Sequence, residues 1–367
     1  MSSWMPETAT GRGAMTGMVL PRAEVPDFSV KVNGAPMPLA ARADVRAVTV
    51  EEDLAALSMF TLELYNWDDD KLQVSWSDSS LFALGSQVEI WLGYVDDLQR
   101  VMTAEITGLE PVFTADQPPT LTVRGYDLSH RFTRGRKTRS FAKIKDSAIV
   151  AQIAREAGLR AQVSDTKVQL DFVAQGNQTD WEFLRDRAGL LGFEVYVRDK
   201  ILYFQPPGYT AQPAARLSLG ADVTEFSPRL SALGQVGQVA VRSWDVRQKQ
   251  AVTGSAAIGQ EQAMGATSGP KAANRAWGNA SASIVDLPAS KPRAGQIAAG
   301  QFNELALGYV RGAVTGSGRP QLRPGTVVQI DGAGQAFSGR YYVTSATHTL
   351  ARDQGYRTSF TVERNAT

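Results

Sequence analysis

The chain carries one strand pattern twice, about 240 residues apart. Near the front, Gly85-Ser86-Gln87-Val88-Glu89-Ile90 is followed by Leu121-Thr122-Val123-Arg124. Near the back, Gly325-Thr326-Val327-Val328-Gln329-Ile330 is followed by Phe360-Thr361-Val362-Glu363. Upstream of each copy lies a strand that ends in Trp-Asp: Phe60–Leu64 leads to Trp67-Asp68, and Gln238–Arg242 leads to Trp244-Asp245. On this alignment Val88 matches Val328, Leu121 matches Phe360 and Trp67 matches Trp244. A repeat of this size sets the architecture before any single motif does. Three such chains together would present six similar surfaces, which suits a scaffold better than a catalyst.

The intervening sequence divides at composition changes. Residues 1–24, rich in Gly, Ala, Met, Ser and Thr without period, read as a disordered tail. From Phe28 apolar residues alternate into an Asn33-Gly34 turn, a strong hairpin signal because both residues tolerate positive φ. Short strands follow at 45–50, 59–65, 87–91, 101–107 and 120–126, so residues 25–130 are expected to form a first tube-like antiparallel β-barrel domain. Residues 131–205 read as a small α/β domain. Its first helix, with Asp146 at the N-cap, presents Ile149, Val150, Ile153 and Ala157 on one face and stops at Gly158. The second starts near Thr179-Asp180, stripes Trp181, Leu184, Ala188 and Leu191, and ends at Gly192 before a hairpin.

The second tube-like domain is assigned to residues 206–250 and 316–367. Residues 251–315 form an insertion that holds the low-complexity stretch Thr253–Ala273 and one helix near Ala294–Val310. Loop closure costs only ~0.6 kcal/mol per doubling of length, so such an insertion is tolerable. The last strand alternates cleanly: Tyr356, Thr358, Phe360 and Val362 point one way, and Arg357, Ser359, Thr361 and Glu363 the other. The fold class is therefore mainly β with a small α/β unit: two tube-like antiparallel β-barrel domains in tandem, the second interrupted by a helix-containing insertion.

Charge and cysteine usage narrow the chemistry. Formal net charge is +1 from 38 basic and 37 acidic residues, which argues against a phosphate-neutralising nucleic-acid binder. The chain has no cysteine, which excludes disulfides and thiolate metal sites. No apolar run approaches the ~18 residues of a membrane helix, and the N-terminus lacks a signal peptide's apolar region.

No constellation reads as an active, cofactor or metal site. Asp68-Asp69-Asp70 lacks the alternate spacing and closing Glu of a Ca²⁺ loop and reads as a solvated turn. His130 and His348 are too isolated for zinc, His348 being expected to pack within a strand. The basic run Arg131–Arg139, with Phe132 inside it, would suit a phosphate backbone, but such runs more often form protein-facing surfaces. Asp180, Glu182, Asp186 and Glu194 would include a glycosidase-type pair only if two lay ~5–10 Å apart. Asp180 instead reads as a helix N-cap, with Glu182 and Asp186 on an exposed flank. Gly332-Ala333-Gly334-Gln335, with no Lys-Ser/Thr and no helix after it, reads as a hairpin turn.

Several motifs together carry a family likeness. Gly318-Arg319-Pro320-Gln321-Leu322-Arg323-Pro324-Gly325, Phe337-Ser338-Gly339-Arg340-Tyr341-Tyr342-Val343, His348 and Gly355-Tyr356 resemble the late control D family of contractile phage tails. Gln175–Leu184 is similar to that family's mid-chain motif. The same signature occurs in the hub part of type VI secretion spike proteins and of extracellular contractile injection particles. The resemblance spans about residues 28–365. It implies a trimeric baseplate hub that joins a sixfold inner tube, or a tube-initiator protein, to a threefold spike. Hub–spike fusions continue into a needle; this chain ends at Thr367, so the resemblance implies a separate spike protein alongside other baseplate proteins. The expected setting is synthesis in a bacterial cytoplasm and incorporation into a phage tail or injection particle. Nucleic acid and membrane insertion are not expected. The alternative is a peptidoglycan- or glycan-binding or hydrolysing tail component acting through residues 140–204. A third reading, DNA binding through 131–139, rests on the basic run alone.

Overall fold

The computed structural model describes residues 25–246, 248–285 and 290–367; the tail expected over residues 1–24 lies outside them. β1 (Pro26–Val32) turns through Asn33 and Gly34, at φ 50° and 82°, into the short β2 (Ala35–Pro36). A helix, α1 (Leu39–Asp44), leads to β3 (Val45–Asp53), β4 (Met59–Tyr65), β5 (Gln87–Tyr94), β6 (Asp97–Val112) and β7 (Thr120–Asp127). Hydrogen bonding orders them β1-β5-β6-β7-β4-β3, antiparallel throughout.

Next come β8 (Lys137–Lys145), α2 (Asp146–Glu156), β9 (Arg160–Val163), β10 (Gln169–Gln178), α3 (Asp180–Leu191), β11 (Glu194–Arg198) and β12 (Ile201–Gln205). They enclose one core that includes Ile149, Ile153, Leu184 and Phe204. Gly192 ends α3 at φ 62°, the left-handed cap expected of glycine. The chain then runs through β13 (Ala215–Ser218), β14 (Val223–Leu230), β15 (Gln238–Asp245), β16 (Gln250–Ala257), α4 (Gly269–Trp277), β17 (Ser281–Val285) and α5 (Lys291–Leu307). It ends with β18 (Val310–Ser317), β19 (Val327–Asp331), the four-residue α6 (Gly334–Phe337), β20 (Gly339–Ala351) and β21 (Gly355–Arg364).

The second unit is ordered β13-β19-β20-β21-β18-β14. Matched in chain order, β1, β3, β4, β5, β6 and β7 correspond to β13, β14, β18, β19, β20 and β21, and the two strand orders are the same. One pairing differs: β1 meets β5 antiparallel, whereas β13 meets β19 parallel. Irregularities recur at matching places. Gly85 and Gly325 both have φ 83°, and their amides donate to Ile106 O (2.8 Å) and Val343 O (2.9 Å). Bulges fall at Thr107 and Thr344, and again at Arg46 and Thr224.

These landmarks keep Val88 opposite Val328 in the alignment and correct two other matches. Ile106 faces Gly125 where Val343 faces Val362, so Val123, not Leu121, corresponds to Phe360. Trp244 has no counterpart in Trp67. Its strand, β15, belongs to a separate three-stranded sheet, β16-β15-β17. The interruption therefore lies between Leu230 and Val310, where the first unit has only the short turn from β3 to β4. It contains two helices rather than one. Thr253–Ala273 is not a structureless filler: β16 pairs along all of β15, and Val252 and Ala256 are buried.

The fold class stands as expected in outline: mainly β, with two largely antiparallel, barrel-like but unclosed units in tandem, a small α/β unit and a helix-containing insertion. The units are fused through β20. Its first part, Gly339–Tyr342, pairs with β19, and its second part, Ser345–Ala351, pairs with β3 of the first unit. Leu350 and Tyr356 consequently sit in the first unit's core with Val48, Leu62 and Val123. Both additions emerge at one end of the joined sheet. The α/β unit follows Asp127, whose amide bonds Ser58 O (2.9 Å) in the β3–β4 turn, and the insertion leaves from Leu230 at the matching turn.

The insertion's small residues are structural. Gly254 lies where an added Cβ would strike the backbone of Ala294 and Gly295 at the start of α5. Gly254→Ala is expected to lower stability by about 1–3 kcal/mol, the usual cost of overpacking. Gly176→Ala, with nothing within 4 Å of its Cβ, should stay near wild type. Thermal unfolding of the two variants checks the difference.

Candidate functional site

The broadest candidate surface is the polar face of the joined sheet. Residues directly opposite one another in a sheet share a face. One such row runs Ser317, Arg357, Thr349, Thr49, Thr61, Arg124 across six strands of both units. The next runs Thr315, Ser359, Thr347, Glu51. None of these side chains is buried, whereas their neighbours Phe360, Val48, Val50 and Leu62 are. The alternation predicted for Tyr356–Glu363 thus extends across six strands drawn from both units.

Beneath that face, the seam between the units holds a buried polar cluster. Glu52 occupies the apolar phase of β3, after Val48 and Val50, and is 6% exposed. Arg323 answers it: Nε donates to Oε2 (2.9 Å), Nη2 donates to Val101 O (2.7 Å), and Nη2 also reaches Oε1 (2.5 Å). His348 is packed, as expected of a strand residue, with Nδ1 3.1 Å from both Thr358 Oγ1 and Tyr356 Oη. Burial lowers its pKa to about 4, so the ring is neutral at pH 7. Asp127 accepts from the Ser129 amide (2.9 Å); burial and Glu52 raise its pKa to about 7 against the hydrogen bonds.

The other candidates are separated rather than brought together. Asp68 accepts from the Asp70 and Lys71 amides (3.1 and 3.0 Å) in an exposed turn. His130 Nε2 lies 2.7 Å from Glu105, which also pairs with Arg131. Phe132 is buried and stacked on Trp181 at 6.5 Å, so it presents no free ring to a base. Lys137 and Arg139 hold Asp180 at 2.6 and 2.9 Å, and Arg136 holds Glu182. Gly332-Ala333-Gly334-Gln335 does run into a helix, the single turn α6, too short to present a phosphate site.

Two helix starts also differ from expectation. Thr179, not Asp180, caps α3, in a capping box completed by Glu182. Lys145, not Asp146, is the N-cap of α2. Asp146 is fully buried one residue later and pairs with Arg187 (2.6 Å) and Arg293 (2.9 Å), which ties the α/β unit to α5. Asp186 accepts from Gln178 Nε2 (2.6 Å). Thus Asp180, Glu182, Asp186 and Glu194 each serve a different partner.

Glu194 alone faces a cavity. A cleft of about 230 Å³ lies where the α/β unit, the second β-unit and α5 meet, and Arg185, Glu194, Tyr209, Glu304 and Tyr342 help to line it. Tyr342 Oη donates to Glu194 Oε1 (2.5 Å), while buried Oε2 has no protein hydrogen bond. Burial raises the Glu194 pKa to about 7, and burial with the Glu194 charge raises that of Tyr342 well above the usual phenol. Among the described residues no group of three or more His, Asp or Glu side chains is arranged to hold a metal ion. Arg323 lies in the Gly318–Gly325 motif, but its partner Glu52 was missed, although a carboxylate in the apolar phase of β3 was the available signal.

A family model, that of the Alg8 N-terminal domain, matches residues 22–352. The chain belongs to the Alg8 N-terminal domain family. No curated protein sequence matches it. Solved structures do. The 43 kDa tail protein of prophage MuSo2 from Shewanella oneidensis superposes with a TM-score of 0.69 at 15% identity, covering 92% of this chain and 98% of that one. A tail protein from Neisseria meningitidis MC58 gives 0.65 at 13% identity, covering 93% and 97%. The E. coli c3393 protein, described as a type VI secretion component structurally similar to T4 tail proteins gp27 and gp5, gives 0.62 at 14% identity, covering 92% and 77%. The chain therefore has the fold of phage-tail and type VI secretion proteins, while the matching family model is not that of late control D.

The raised Glu194 pKa has a checkable sign. A carboxyl whose folded pKa lies above its unfolded value contributes stability that is fully present below about 4.5 and lost as pH rises through about 7. Glu194→Gln keeps a neutral group at every pH. Its stability relative to wild type should rise by on the order of 2 kcal/mol from pH 4 to pH 8. Urea unfolding at the two pH values measures this; a difference that does not grow with pH would refute the assignment.

Proposed function

We propose that the chain is a structural baseplate hub, a homotrimer that joins the sixfold inner tube of a contractile tail or injection particle to its threefold spike. The observation that carries the reading is the double unit: two sheets of one strand order, joined where β3, the edge of the first, pairs with the part of β20 that runs past β19, and sharing one polar face. Head-to-tail contacts generate a ring when the rotation closes. Three chains would place six barrel-like units around an axis, and the hydroxyl- and charge-bearing face would line a hydrated lumen. The α/β unit and the insertion occur once per chain, so the end that bears them would keep threefold symmetry. The opposite end carries strand turns from both units and would offer six near-equivalent surfaces to the tube or its initiator protein. A separate spike and other baseplate proteins would complete the partners. Engagement of the candidate carboxylates and bases in ion pairs and hydrogen bonds supports a non-enzymatic role.

Light scattering of the purified chain should give three times the 39.6 kDa chain mass, alone or on addition of spike protein. A monomer at high concentration that binds neither tube nor spike would defeat the proposal. Release of reducing ends from cell-wall polymer, abolished by Glu182→Gln or Asp186→Asn, would replace it with the hydrolytic alternative.

A further inference from the structure

We propose that the outer half of β6 in one protomer pairs with β14 of the next, in the register that joins β20 to β3 within a chain. The inference rests on the hub reading and names the surfaces through which its ring would close. Inside the chain, β20 outruns β19 and uses its free length to pair with β3. β6 outruns β5 in the same way: Asp97–Glu105 pair with β5, but Gly108–Val112 pair only with β7. β14, the counterpart of β3, pairs with β18 and ends the sheet path; past the Leu219–Val223 bridge at its start, no strand among the described residues pairs with its other edge. Both halves of the seam are thus present a second time, unpaired.

The matching bulges fix the register. Thr107 answers to Thr344 and Thr224 to Arg46. The observed pairs Ser345–Asp53, Ala346–Glu52 and Thr347–Glu51 then translate into Gly108–Ser231, Leu109–Leu230 and Glu110–Arg229. Two residues further, Val112 and Phe113 come opposite Ser227 and Phe226. The translated register sets Glu110 against Arg229, Leu109 against Leu230 and Phe113 against Phe226, with Val112 opposite Ser227. Glu110 already accepts from Arg124 (3.0 and 3.1 Å), so Arg229 would extend that pair across the junction.

Exposure points the same way. Leu230, Val112 and Phe113 are 39%, 52% and 61% exposed. Phe113 is the counterpart of Leu350, which in the chain's own seam sinks into the neighbouring core. The β6–β7 hairpin is therefore built like β20–β21 but has nothing to plug.

Pro111 and Pro228 face each other in this register, as counterparts of His348 and Val50. Leu54 N bonds Thr344 O and Arg352 N bonds Arg46 O, which sets the phase: His348 and Val50 point their backbone groups across the seam. Each proline thus withholds one donor from the junction while leaving its own sheet intact. Prolines on open edges also block indiscriminate strand addition. The junction would rely on its charge and apolar rows more than the internal seam does.

The absence of native cysteine allows a direct test. Glu110→Cys with Arg229→Cys, oxidised in the assembled full-length protein, should give a covalent trimer on a denaturing gel, and neither single variant should. Glu51→Cys with Thr347→Cys, paired within the chain, is the positive control. A trimer in solution whose 110–229 pair stays open while the control closes would overturn this junction and leave the hub reading standing. A monomer without cross-links would overturn both. Independently, Arg229→Glu should weaken assembly about tenfold and added Glu110→Arg should restore it, as expected for facing charges; unchanged assembly in both would count against the register.

Discussion

Pairing of β20 with two different units is the constraint on which the rest of the structure depends. A strand that stays paired with β21 while its second half also pairs with β3 cannot move without breaking both units. The seam also holds charged groups that are costly to bury. Glu52 and Arg323 lose most of their hydration there, and a buried pair repays that loss only with near-complete hydrogen bonding. Here the fork of Arg323 meets both carboxylate oxygens and a backbone carbonyl. Removing one partner of such a pair typically costs ~3–5 kcal/mol, because the other charge stays buried. The neighbouring His348 escapes that problem by remaining neutral.

The α/β unit and the insertion buttress this seam. Arg198 donates to Pro324 O (3.0 Å), next to Arg323, while Asp199 pairs with Arg100 (3.2 Å) on β6. Tyr342 reaches Glu194 from β20 itself. Gly192 at the end of α3 packs against Gly300 of α5, where a Cβ on either would meet the other's backbone. The Asp146–Arg293 pair fastens α2 to the same α5. The repeat supplies the symmetric part of the molecule, and the non-repeated parts hold the two copies in one orientation.

Much of this was legible in the sequence. The Gly85 and Gly325 turns, the alternating final strand and the two helices of the α/β unit follow from period and turn chemistry. The match of Leu121 with Phe360 failed by two residues because a shift of two leaves every side chain on its original face. Only the bulges at Thr107 and Thr344 break that degeneracy, and they depend on pairing across strands. Trp244-Asp245 repeated Trp67-Asp68 by composition alone. Thr253–Ala273 looked structureless because small residues dominate it, yet α5 approaches β16 closely enough to require them. Glu52–Arg323 was hidden by a separation of 271 positions.

Placement of the additions follows from the same topology. A chain with β3 and β4 in a hairpin has a short turn at one end of the sheet, and lengthening that turn disturbs no ladder. The second unit accepts its whole insertion there, and the α/β unit grows from β7 at the same end. Had either addition entered at the β6–β7 or β20–β21 turn, it would have occupied the hairpin that completes the neighbouring core. Leu350 and Tyr356 show what those hairpin ends do when left unencumbered. The two large additions are thus confined to one end of the double unit, and the polar face draws hydroxyl and charged side chains from both copies. Under the proposed hub reading, this segregation would leave the repeated parts to meet a sixfold partner and the unique parts a threefold one.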